Sequence, residues 1–140
     1  RDTSVTGVQT CALLIYDGGL MELNLTSGCW YSPLVDHLWM PHSVKQFSES
    51  LIFLDSMRGA LHQGTNTQLF KFPAFLRGLD ISKDGLFGIG VSEHRYPEKV
   101  PAEMKCTFVS SGVLLVDAES NSTRFFDLDV TSSIHDVVFQ

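Results

Sequence analysis

Between Pro41 and Ser92 one pattern is written twice, and it constrains the fold more than any other feature of the chain. The first copy reads PHSVKQFSESLIFLDSMRGALHQG, and after a polar break the second reads FPAFLRGLDISKDGLFGIGVSEHR. In each, a short turn-like start leads through an apolar-alternating run and a polar turn into buried-type residues ending near Ser56 or Ser92. A third start, SSIHDVVFQ, follows at residues 132–140. Alternation with a period of two sends successive side chains to opposite faces of a strand. The repeat is therefore an antiparallel β-unit, and no long segment carries the helical period.

Upstream, LLIYDGGLMELNLTSGCW reads as two strands about Asp17-Gly18-Gly19, a hairpin signal, with a turn cluster from Asn24 to Gly28. Residues 31–40, with Pro33, read as a connector. In residues 42–47, Val44 and Phe47 are the positions expected to face inward. Ser48-Glu49-Ser50 is a turn, and residues 51–54 (LIFL) suit a strand covered on both faces. Residues 55–59 form the next turn, and residues 68–72 alternate as an outer strand does. The second unit turns at residues 82–85 and re-enters a strand carrying Gly88 and Gly90, where glycine marks close backbone approach or a bulge. Residues 92–107, charged and with Pro97 and Pro101, read as an inserted loop, and GVLLVDAESNSTRFFDLDV as an outer hairpin.

Unit starts near His42, Arg77 and Ile134 lie 35 residues apart (42 to 77) and then 57 (77 to 134), the longer interval containing the loop. Four-stranded units of about 40–50 residues are what propeller blades require. The expected fold is all-β, an incomplete β-propeller of two to three four-stranded antiparallel blades over residues 13–140. A β-sandwich, also built of short, regularly spaced strands, is the competing architecture. An incomplete ring leaves open flanks of apolar sheet, so the chain is expected to associate or to need the remaining blades of a parent chain.

Residues 1–12, RDTSVTGVQTCA, fit nothing downstream and resemble translated sequencing-adapter read-through, so they are set aside as a non-native leader. Cys11 goes with them; Cys29 and Cys106 read as free thiols, since no Cys/His spacing suggests zinc. With 16 acidic against 10 basic side chains, net charge −6, there is no basic patch to meet nucleic acid or an anionic membrane. No apolar run approaches the length of a bilayer span. No secretory signal is visible, but the sequence also lacks an initiating Met, so this decides little; the compartment is left open, with the cytoplasm slightly favoured.

Four ordered blocks carry a family resemblance. PHSVKQF…LIFLDSMRGAL resembles PHSxxW…LWxLxSGxGxL, FPAFLRGLDI resembles LPGFxRGLAF, GIGVSEHR resembles FVGLSxxR, and GVLLVDAES resembles GVWxVDLxTG. Together they resemble an uncharacterised, mainly bacterial family of propeller-like proteins. Met57 stands where that family tends to have glycine and Gln46 where it has tryptophan. The resemblance implies a fold and no activity.

Propeller geometry places the starts of innermost strands and the loops after second strands on one rim. His42, Arg77 and His135 fall at the starts; Asp55, Arg58, Glu93, His94 and Arg95 fall in the loops. Such a concave, polar rim is where a ligand is expected. His42 reads as a ligand or acid–base group, or as a turn-capping histidine. Arg77 reads as a carboxylate or phosphate clamp, or as an ion-pair partner of Asp55 or Glu93. Ser92-Glu93-His94 holds triad residue types, but neighbours on a strand point to opposite sides. Asp55, Glu93 and Asp136 could offer oxygen ligands to a divalent cation, as in propeller lactonases, although no spacing requires it. The sequons at Asn24 and Asn121 sit in turns that need asparagine for backbone reasons. The expected function is a binding or scaffold module for a small polar or anionic ligand or a protein partner, with no resident cofactor. The alternative is a metal-dependent hydrolase.

Overall fold

The computed structural model describes residues 6–11, 17–24, 26–28, 30–94, 98, 110–130 and 133–140. They form eleven strands: β1 (Thr6–Cys11), β2 (Gly18–Asn24), β3 (Trp30–Leu38), β4 (Pro41–Phe47), β5 (Ser50–Asp55), β6 (Ala60–Gln63), β7 (Thr67–Lys71), β8 (Phe75–Ile81), β9 (Phe87–Ser92), β10 (Ser111–Asp117) and β11 (Ser122–Val130). The protein is all-β. Its strands make three antiparallel sheets in chain order, β1-β2-β3, β4-β5-β6-β7 and β8-β9-β10-β11.

The LIFL run explains how the sheets stack. Ile52 and Leu54 bury between the second and third sheets with Leu61, Leu76, Leu79, Ile89, Val91 and Leu114. Phe53, pointing the other way, buries with Leu20 and Leu38 against the first sheet. β5 is thus the covered layer that its continuous apolar run implies. Each fully buried side chain of this kind contributes about 1.5–3 kcal/mol.

β9 is covered on both faces by a different device. Phe87, Ile89 and Val91 join the core between the sheets. Gly88 and Gly90 leave room on the opposite face: a Cβ at Gly88 would meet the Phe139 ring at 3.0 Å, and one at Gly90 would meet Ile134 Cγ2 at 2.6 Å. Residues 133–140 lie in that space. The close approach anticipated from the strand glycines is what these positions provide.

Both β4 and β8 are interrupted at the same place. β4 slips register against β5 between His42 and Lys45, with Ser43 at φ 55°, and β8 slips against β9 between Leu76 and Leu79, with Gly78 at φ 78°. Val44 and Phe47, both expected to face inward, pack on opposite sides of the second sheet, as their odd spacing along a strand requires: Val44 with the Phe53 cluster, Phe47 with the Ile52 cluster.

Two sequence expectations upstream are corrected. Residues 31–40 are not a connector, because β3 runs through them and pairs with β2 across several bulges, with Pro33 on the sheet's edge strand. Gly18 and Gly19 do not make a hairpin turn; they lie inside β2, where a Cβ would come within 2.5 Å of Pro41 Cδ and 2.8 Å of the Val35 carbonyl oxygen, respectively. The strand expected over residues 13–16 lies outside the described residues; β2 pairs with β1, from Thr6 opposite Asn24 to Cys11 opposite Gly19, so that residues 6–11, set aside in the sequence reading as fitting nothing downstream, form a strand of the first sheet. The turns expected within residues 24–28 and at residues 82–85 are present, and that of the last hairpin, expected at residues 119–122, falls at 118–121. Asn24 Oδ1 accepts from the N–H groups of Thr26 and Ser27, and Asn121 takes φ 51°, so both sequon asparagines serve the backbone. Cys29, Cys106, Arg95 and most of the inserted loop lie outside the described residues.

Candidate functional site

The turn at residues 55–59 draws all three sheets together. Met57 N–H donates to the Trp39 carbonyl that follows β3, and Leu76 N–H of β8 donates to the Ser56 carbonyl. The side chains expected at the rim gather around this turn in two groups.

In the first group, His42 Nδ1 lies 2.7 Å from the Met40 carbonyl oxygen and 3.1 Å from Ser56 Oγ. A carbonyl can only accept, so Nδ1 carries the proton. The His42 ring meets Phe75 edge-on with centroids 6.0 Å apart. The same Phe75 ring meets His94 edge-on at 5.8 Å. Phe75 thus holds the two imidazoles beside one end of the sheets. His94 differs from His42 in one respect: both of its ring nitrogens are buried with no hydrogen-bond partner among the described residues. Burial holds its pKa below the ordinary histidine value of 6.5, so the ring is neutral at neutral pH, with one donor and one acceptor to offer.

In the second group, Asp55 is buried at 1% exposure. Its Oδ1 accepts from Trp39 N–H at 2.8 Å and its Oδ2 from Arg58 Nη1 at 2.9 Å. Burial outweighs these contacts and raises the carboxyl pKa above 3.8. Arg58 also donates to the His37 carbonyl at 2.7 Å and lies 4.5 Å over the Trp39 ring. His62, stacked 5.2 Å from Phe53, faces the same pair; burial lowers its pKa, the Asp55 charge works against that, and Arg58 adds to it. A cleft of about 350 Å³ opens here, lined among others by Asp36, His37, Asp55, Arg58, His62 and Asn66.

The remaining candidates are placed differently. Arg77 is half-buried on β8 one residue before Gly78, whose Cβ position is 2.6 Å from the Asp136 Cα. Glu93 and His135 are exposed. Ser92 is buried, and its hydroxyl donates to the Ile134 carbonyl and accepts from the Ile134 N–H, which makes it a docking residue for the C-terminal segment. Asp136 Oδ1 accepts from Val137 N–H. Among the described residues no three His, Cys, Asp or Glu side chains gather as metal ligands.

The sequence missed Ser56, His62 and Phe75. Ser56 and Phe75 carry no chemistry that a motif would flag, and His62 reads simply as the partner of Phe53 across β5 and β6. A larger cleft, about 380 Å³, lies at the other end of the sheets between Phe47, Lys83, Asp84 and Glu119. Its charged walls are turn residues and Asp117, the last residue of β10, whose pKa is held low by hydrogen bonds from Ser120 in the turn that follows. No family model, curated protein or solved structure matches the chain.

Proposed function

We propose that the chain is part of a β-propeller-like binding module whose ligand meets the His42–Phe75–His94 end of the sheets. Three observations favour the propeller over a two-sheet sandwich. There are three sheets in series; β4 and β8, the first strands of theirs, pack on one another; and the four resemblance blocks fall on β4 with β5 and β6, on β8, on β9 and on β10.

The observation that carries the binding reading is His94. Leaving a buried donor and acceptor unpaired costs about 1–3 kcal/mol, and buried polar groups in folded proteins are as a rule paired. An imidazole held neutral against an aromatic ring, beside a second histidine, suits a small polar ligand that supplies the missing partners.

The test is a thermal melt of the wild type and of His94→Phe with monosaccharides, small carboxylates and inorganic phosphate. A ligand that binds only the folded state raises the melting temperature by mass action. At least one of these probes is expected to raise it in the wild type and not in the variant. Equal shifts in both proteins, or none in either, would remove His94 from any site. A rise with calcium, magnesium, manganese or zinc that EDTA reverses would instead favour the hydrolase reading.

A further inference from the structure

The ends of β4, β6, β8 and β10 and the starts of β5, β7 and β9 meet at the opposite end of the sheets from His42, Phe75 and His94. The cleft of about 380 Å³ lies between them, toward the small end of the range of about 300–1,000 Å³ in which small molecules are held. Its floor is apolar and comes from both the second and the third sheet. Phe47 and Leu69 are half-buried there, beside the more deeply buried Ile52 and Phe87. The Phe47 and Phe87 rings meet edge-on across the boundary between the sheets, with centroids 6.4 Å apart.

The rim is charged, and the charge does not balance. Asp117 and Glu119 stand at the end of β10, and Lys83 and Asp84, of opposite sign, in the turn from β8 to β9. Lys83 and Asp84 also border a neighbouring cleft with Asp80 and Phe139. Because those two charges cancel, the excess of two carboxylates is the same whichever cleft they lean toward. Among the described residues, Lys83, Asp84, Asp117 and Glu119 form no ion pair. Both turns are fixed by their own hydrogen bonds. Ser82 accepts from Gly85 N–H at its carbonyl and from Leu86 N–H at its hydroxyl. Asp117 Oδ1 accepts from the N–H groups of Glu119 and Ser120, and the Ser120 hydroxyl donates to Oδ2. The rim charges are thus held in place before a ligand arrives, which lowers the ordering cost of binding.

We propose that this cleft binds a small organic cation, an amine or guanidine carried on an apolar body. Acidic turns alone would be an ordinary solvated surface; the apolar floor between them is what makes a site. That floor takes the body of the ligand out of water, and phenyl rings attract a cation placed over them. The excess carboxylates accept hydrogen bonds from the charged head. A neutral ligand of the same shape would leave that excess unused, and an anion would be repelled by it. The cleft shares no lining residue with the His42–Phe75–His94 end, so either site can fail without the other.

Phenethylamine is the probe, with phenethyl alcohol as its neutral counterpart and hydrocinnamate as its anionic one. Each is titrated into the full 140-residue chain and followed by amide chemical shifts. The amine is expected to move the amides of residues 83–87 and 117–119, to bind about three- to tenfold tighter than the alcohol, and to weaken as salt is raised. Hydrocinnamate is expected not to bind. Glu119→Gln should weaken the amine about two- to fivefold and leave the alcohol unchanged, whereas Lys83→Ala should tighten the amine by a similar factor. Glu119 and Lys83 are exposed turn residues, so both variants should keep the circular-dichroism spectrum of the wild type. Amide shifts elsewhere or nowhere, equal binding of amine and alcohol, or an amine affinity indifferent to both substitutions would overturn the proposal.

Discussion

Replacing Gly59 with alanine is expected to destabilise the protein by at least about 4 kcal/mol, the range reached only by severe backbone or core defects. Gly59 sits at φ 65°, where a side chain is strained whatever space surrounds it. There is no space: a Cβ would overlap the Phe72 carbonyl oxygen and lie 2.8 Å from that of Ala74. Both obstacles are backbone, in the crossing from the second sheet to the third, and the Gly59 carbonyl already accepts from Phe72 N–H at 2.8 Å. Relief would have to separate the crossing from the turn through which Met57 and Ser56 bond the neighbouring sheets. Against a typical total of about 5–15 kcal/mol, denaturant unfolding of this variant should find little cooperative transition left. A loss below about 1 kcal/mol would mean that the turn does not bind the sheets together.

Phe53→Ala is expected to cost about 3–5 kcal/mol, the range for deleting a fully buried aromatic ring. Phe53 is 0% exposed and is the second sheet's buried aromatic contribution to the cluster with Leu20 and Leu38. Its loss should loosen the first sheet before the others. Leu54→Ala, one residue along and facing the other way, should loosen the third. Hydrogen exchange read strand by strand separates the two: faster in β2 and β3 for the first variant, faster in β8 to β10 for the second. The same pattern in both would contradict two-sided burial of β5.

The sheets that the sequence revealed are those whose side chains alternate without interruption or run continuously apolar. The LIFL run of β5, the outer strand β7 and the hairpin of β10 and β11 are of this kind. β3 was hidden because its pairing with β2 slips repeatedly and Pro33 breaks the run, and adjacent residues Leu34 and Val35 both pack on the core. Gly18-Gly19 after Asp17 has the composition of a turn; only the backbone of β3 and the ring of Pro41 show why side chains are excluded there. At the site, His42, Asp55, Arg58 and His94 could be named because they are titratable. The contacts that relate them could not, since Phe75 and Ser56 meet the histidines across two different sheets. Arg58 was expected to face a ligand, whereas its guanidinium has protein partners in Asp55 and the His37 carbonyl.

The claim that matters most is that His94 is kept polar for a ligand at the expense of stability, a trade common at functional sites. It is tested by the unfolding free energy of wild type and His94→Phe measured in denaturant across pH. Phenylalanine keeps a ring against Phe75 and removes both unpaired nitrogens. The variant is expected to be more stable by about 1–3 kcal/mol at neutral pH. The gap should also widen on acidification. The folded pKa of His94 lies below its unfolded value of 6.5, so its contribution is full above 6.5 and is lost as pH falls toward the folded value. His62 acts in the same direction, while Asp55, raised above 3.8, favours the folded state at lower pH. Both are common to the two proteins and cancel in the difference. A variant less stable than wild type, or a gap that ignores pH, would make His94 an ordinary packing residue and contradict the proposed site.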